Sequence, residues 1–148
     1  MNDGFYDWDG KIDNASRFGD KASHSPNGAG WRNLVHYGQI IKNKKFQRYD
    51  YGESENMEKY GQATPPEYDL SKISVKMAIM QGDLDQLSDV EDDTWLMDQS
   101  QSGLRQDLIV YHEMLHFGHV SFMMAKDMSY FTRLVKVIQE NSGLEQIA

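Results

Sequence analysis

Two short apolar runs, each ending in a polar loop and separated by a helical stretch, constrain the fold of this chain more than any other feature. The first run, 73–80, carries Val75, Met77 and Ile79 on one side and stops at Gln81-Gly82-Asp83. Ser88-Asp89-Val90-Glu91 then has the S-x-x-E form of a capping box and opens a predicted helix with Val90, Trp95, Leu96 and Met97. After Ser102-Gly103 the second run, 108–111, is apolar and partly β-branched, and it leads to Phe117-Gly118-His119. From Phe122 to Ile138 apolar residues recur at helical spacing, Met123, Met124 and Met128 among them as flexible core filler, until Asn141-Ser142-Gly143 stops the pattern. Strand, loop, helix, strand, loop, helix is the alternation of a parallel sheet with crossover helices. The chain therefore reads as α/β.

Upstream of this the patterning is weaker. Segment 1–30 holds five of the twelve glycines and follows neither period, so it reads as irregular chain with Phe5, Tyr6 and Trp8 as anchors. Trp31, Leu34, Val35, Gly38 and Ile41 predict a helix that fades at Asn43-Lys44. The aromatic stretch 46–51 is expected as an edge strand. The stretch 52–71, with Pro65-Pro66, is expected as a connection, because paired prolines cannot donate to a ladder. The predicted organisation is thus 1–30, 31–72 and 73–148.

Composition narrows the chemistry. There is no cysteine, which excludes a disulfide framework, thiolate metal sites and a cysteine nucleophile. The net charge of −8 argues against a nucleic-acid partner, since a duplex binder needs a basic face. No apolar run approaches the roughly 20 residues that span a bilayer.

In parallel sheets the functional groups sit in loops beyond the carboxyl ends of the strands. Loop 82–89 offers Asp83, Asp85 and Asp89, and loop 115–119 offers His116 and His119. An acid after one strand and a histidine after the next suit an imidazole base oriented by a carboxylate. Asp83 and Asp89 read as a turn residue and a helix cap. The rival is His112-Glu113-Met114-Leu115-His116, an H-E-x-x-H match. On a helix its histidines would hold zinc with Glu113 as general base, and His119 would be a third ligand on the same face. Against it stand the strand-like residues before it and Gly118 inside the helix it requires. A downstream glutamate ligand would have to be Glu140 or Glu145.

Several segments together resemble the acid lipase family, which includes lysosomal and gastric enzymes. Ser23-His24-Ser25-Pro26-Asn27-Gly28 is similar to its S-H-x-P-x-G segment, and Lys45-Phe46-Gln47-Arg48-Tyr49-Asp50-Tyr51-Gly52 to its K-F-Q-x-Y-D-[WY]-G segment. Residues 60–70, with Gln62, Pro65, Pro66 and Tyr68, resemble its Y-x-Q-x-x-P-P-x-Y segment. Gly82-Asp83-Leu84-Asp85-Gln86-Leu87-Ser88-Asp89 resembles the loop that carries the family's triad acid, which puts that acid at Asp85. Phe117-Gly118-His119-Val120-Ser121-Phe122 resembles the histidine loop, which puts the triad base at His119, 34 residues further on. One departure is Ser121, where the family usually has an acid.

The resemblance implies the C-terminal part of an α/β-hydrolase, preceded by the end of its cap. It also implies hydrolysis of neutral lipid esters by Ser-Asp-His acyl transfer, without metal or organic cofactor, at a lipid interface and in a lysosomal or secreted setting. A G-x-S-x-G elbow, which would precede the acid and the histidine, is not found here. The nearest segment, Gly52-Glu53-Ser54-Glu55-Asn56, lacks the second glycine and an apolar strand before it. The expectation is that the serine lies upstream in a longer protein or in a separate partner chain, and that this chain alone is inactive. Besides the zinc peptidase, the alternative is a non-catalytic hydrolase remnant that acts as a partner module.

Overall fold

The structure is a computed structural model that describes residues 7–24 and 28–143. Phe5, Tyr6, Ser25-Pro26-Asn27 and Glu145 lie outside the described residues. The chain forms two compact units, Met1–Ser23 with Leu70–Ala148, and His24–Asp69.

In the second of these, α2 (Trp31–Asn43) covers the predicted helix. Lys44 closes it in the left-handed region, φ 55°, with its N–H on the Ile40 carbonyl. The expected edge strand at 46–51 is reduced to one antiparallel bridge, Gln47 with Glu67, flanked by Arg48 N–H to Pro66 O and Tyr68 N–H to Phe46 O. Pro65 and Pro66 have no N–H, so the ladder cannot extend in their direction.

The expected connection 52–71 contains a helix, α3 (Glu53–Tyr60), bounded by Gly52 at φ 88° and Gly61 at φ 72°. It has no apolar stripe, and what holds it is polar. Asn56 is 1% exposed; its amide donates to Asp50 Oδ1 (2.7 Å) and Ala63 O (2.9 Å) and accepts from Tyr51 N–H (2.9 Å). Asp50 also accepts Gly52 N–H, and this bond with the Asn56 amide holds its carboxyl below the usual range. The K-F-Q-x-Y-D-Y-G segment is thus a turn built around one buried asparagine.

The part of the 1–30 segment that belongs to the other unit is not wholly irregular. Asn14 caps a 3-10 turn, Ala15–Arg17, which runs into α1 (Phe18–His24). Strand β1 (Met77–Gly82) pairs in parallel with β2 (Ile109–Leu115), Ile79 opposite His112 and Gly82 opposite Leu115. Both strands run further toward their loops than the apolar runs suggest. The chain before Met77 turns instead, Ile73 N–H bonding back to Leu70 O. The crossover contains α4 (Val90–Met97) and α5 (Gln99–Ser102). The cap of α4 is Asp89, whose side chain accepts Asp92 N–H at 2.9 Å; Ser88, the first residue of the S-x-x-E pattern, lies one position before it. Ser88 N–H is bound to Asp85.

The predicted helix over 122–138 is two helices, α6 (Ser121–Met124) and α7 (Ser129–Asn141). The break falls where another segment takes the backbone groups: Asn14 N–H donates to Met124 O and Lys126 N–H to Ile12 O, around an Asp13–Ala125 bridge. Met124 is buried as expected, but Met123 is 60% exposed. Beneath the histidine loop Phe117, Phe122 and Tyr130 meet edge to face, with centroids 5.5–5.7 Å apart. Such pairs add about 0.5–1.5 kcal/mol each beyond the area they bury. Val120, Met124, Ala125 and Leu104 complete the buried apolar set.

Lys44 carries a left-handed backbone that costs an L-residue about 1–2 kcal/mol, offset in part by the unfolded-state freedom glycine adds. Lys44→Gly is therefore expected to stabilise the end of α2 by about 0.5–1 kcal/mol. Slower amide exchange over its last turn is the check.

Candidate active site

The site is made where β1 and β2 end. Gly82 closes β1, and a Cβ there would lie 2.2 Å from the Phe117 carbonyl oxygen, so the two loops cross at a distance only glycine permits. Backbone bonds fasten the crossing: Asp83 N–H to Leu115 O (2.9 Å) and Leu84 N–H to Phe117 O (3.0 Å).

The crossing brings Asp85 to His119. The Asp85 side chain is 5% exposed, and its Oδ1 accepts the N–H groups of Leu87 (2.8 Å) and Ser88 (2.9 Å). Its Oδ2 is then aimed at His119 Nδ1, 3.0 Å away. A carboxylate accepts, so Nδ1 is the donor of this bond; in a neutral imidazole that leaves the lone pair on Nε2, on a side chain that is half exposed. That is the tautomer a general base needs.

Three relatives show which family the chain belongs to. The chain is 35% identical over 124 residues to gastric triacylglycerol lipase of Rattus norvegicus, covering 83% of this chain and 30% of that lipase. It is 31% identical over 137 residues to the gastric triacylglycerol lipase of Homo sapiens, 90% of this chain and 33% of the relative. Lipase member K of Mus musculus is 30% identical over 131 residues, 86% of this chain and 32% of that protein. The chain belongs to the acid lipase family. No family model matches it. It spans about a third of the length of the curated relatives it matches, which fits the C-terminal portion of an acid lipase. These relatives imply an α/β-hydrolase, with which the helices and the parallel strand pair agree. A separate chain carrying the nucleophile gains no support from them.

The zinc reading fails within this acid lipase chain. His112, Glu113 and Leu115 lie on β2, not on a helix, and His116 follows it. Residues four apart on a strand are about 13 Å apart, too far to share an ion. Each side chain has a different partner: His112 Nε2 lies 3.3 Å from Asp93, Glu113 pairs with Arg133 and Tyr111, and His116 pairs with Asp83. Glu140 lies 3.8 Å from Lys136. Among the described residues no group of three or more His, Cys, Asp or Glu could hold a metal. Ser54, the nearest serine to an elbow pattern, sits in the first turn of α3, with no strand before it.

Asp83 lies in an exposed turn, as the sequence suggested, and there it also pairs with His116 Nδ1 at 3.0 Å. Asp89 is a helix cap, as the sequence suggested. Sequence reasoning missed Asp7, whose carboxylate accepts the His119 N–H at 2.6 Å. No local pattern could have signalled a residue so far away along the chain.

Around the sheet, burial pushes the Asp93 carboxyl up against the pull of His112, and the Arg133 guanidinium holds Glu113 down. A raised folded pKa means that the folded state binds the proton more readily than the unfolded chain. Asp93 therefore makes stability fall as pH rises from the ordinary carboxylate range through the raised value. Asp93→Asn is expected to flatten that slope in denaturant titrations run across pH. Gly82→Ala has no room beside a backbone oxygen; it is expected to cost about 3 kcal/mol and to loosen the His119–Asp85 bond, read by histidine NMR.

Proposed function

We propose that Asp85 and His119 are the acid and base of a Ser-Asp-His triad that hydrolyses carboxylic esters of neutral lipids. The observation that carries this is the 3.0 Å contact from His119 Nδ1 to an Asp85 carboxylate whose other oxygen is tied down by two backbone N–H groups. The serine comes from outside these 148 residues. On this reading segments 1–30 and 31–72 belong to the end of the cap and 73–148 to the core, with the chain acting as the C-terminal part of one longer polypeptide.

His119 Nε2 takes the serine proton as the serine oxygen attacks the ester carbonyl. The imidazolium that forms faces Asp85 Oδ2, which holds it in orientation and stabilises its charge. As the tetrahedral intermediate collapses, the same proton goes to the departing alcohol and an acyl-serine remains. Water then repeats the sequence: His119 takes its proton, the acid is released, and the serine is protonated again. The family relationship and the printed names of its lipase relatives support esters as the substrate class.

In the intact protein that carries this sequence, Asp85→Asn or His119→Ala is expected to lower kcat on a water-soluble ester by about three to four decades. His112→Ala and Glu113→Gln should change it little. Near-normal turnover in either of the first two variants would sink the assignment.

A further inference from the structure

The N-terminal arm, 7–14, is bound to the segment that follows His119. Besides the backbone bonds at Met124 and Lys126, Lys126 Nζ donates to the carbonyls of Gly10 (2.7 Å) and Lys11 (3.2 Å). At the head of this arm Asp7 enters the site itself. Its Oδ2 accepts His119 N–H at 2.6 Å and its Oδ1 accepts Val120 N–H at 3.3 Å. A longer bond, 3.4 Å, reaches Oδ2 from Gln86 N–H on the loop that carries Asp85. Gly118 leaves the space: a Cβ there would lie 2.6 Å from Asp7 Cγ.

The N–H groups of Gly118, His119 and Val120 precede a helix, where the helix itself supplies no acceptor. Ser121 Oγ accepts only the first of them, at 3.2 Å. The other two converge on Asp7, so one carboxylate fixes the backbone on both sides of the residue that bears the imidazole. The half-exposed ring of His119 is itself held by the hydrogen bond at Nδ1. A shift of the backbone by a few tenths of an ångström would lengthen that contact and free the tautomer.

We propose that Asp7 is a positioning residue for the His119–Asp85 pair, a carboxylate delivered from the N-terminal arm that clamps the histidine loop and ties it to the acid loop. Its effect on turnover rests on the triad described above. Its effect on the histidine does not.

The test uses the intact protein with ¹⁵N-labelled histidine, wild type and the variants D7N, D7A and K126A. The amide introduced by D7N could accept at one atom only, and the methyl introduced by D7A at none. K126A removes the arm's lysine bonds without touching His119 and so reports a merely structural role. In wild type and K126A, His119 is expected as a single Nδ1–H tautomer with a downfield, slowly exchanging proton. In D7N and D7A that proton broadens and the ring nitrogens average between tautomers. On a soluble ester, kcat is expected to fall about 10- to 100-fold with KM within twofold. A fixed Nδ1–H tautomer in D7A overturns the proposal, as does K126A with the same loss as D7A. If Asp85→Asn leaves turnover intact, the triad reading fails, and the tautomer signal still decides the role of Asp7.

Discussion

The two loops at the ends of β1 and β2 cross so closely that a backbone carbonyl fills the place of a side chain, and the site depends on that approach. With Gly82 against Phe117 O, the loops share backbone bonds, and Asp85 and His119 come within hydrogen-bond distance a few residues beyond the ends of their strands. The aromatic trio of Phe117, Phe122 and Tyr130 sets the level of the histidine loop from below. The crossing therefore couples core packing to the geometry of the imidazole: what moves Phe117 moves both loops.

The acids near the site are satisfied mainly by backbone dipoles rather than by cations. Asp85 takes the N–H groups of Leu87 and Ser88, Asp7 those of His119 and Val120, and Asp89 that of Asp92. Hydrogen bonds to an ionised acceptor are roughly twice as strong as neutral ones, and these fix direction as well as energy. One guanidinium pairing lies on the sheet, where Arg133 joins α7 to Glu113 on β2. Asp85 and Asp89 are thus aimed by the turns they close, and Asp7 by the loop it clamps.

Local signals were legible where the physics is local. The helix from Trp31 followed its apolar period, and the alternation of strands and helices beyond residue 73 followed from periodicity and turn chemistry. Helix α3 was not legible, because its stability comes from a buried asparagine that bonds to Tyr51, Asp50 and Ala63 rather than from an apolar stripe. The break between α6 and α7 was hidden for a related reason: its residues look helical, but the arm at 12–14 claims their backbone groups. Of the two caps the sequence offered, Ser88 and Asp89, it is Asp89 whose side chain reaches the Asp92 N–H at the start of α4.

By itself the sequence determined the parallel strand pair and its crossover, the order of an acid loop before a histidine loop, and membership of the acid lipases through segments in a shared order. These depend on residues near one another in the chain. Only the tertiary structure decided which partner each polar side chain takes. H-E-x-x-H became three unrelated contacts because β2 runs through its first four residues, and Asp83 acquired His116 just beyond. Asp7 met His119 from 112 residues away. A hydrogen bond requires closeness in space, and at that separation closeness is set by the path of the whole chain, which no local period or motif encodes.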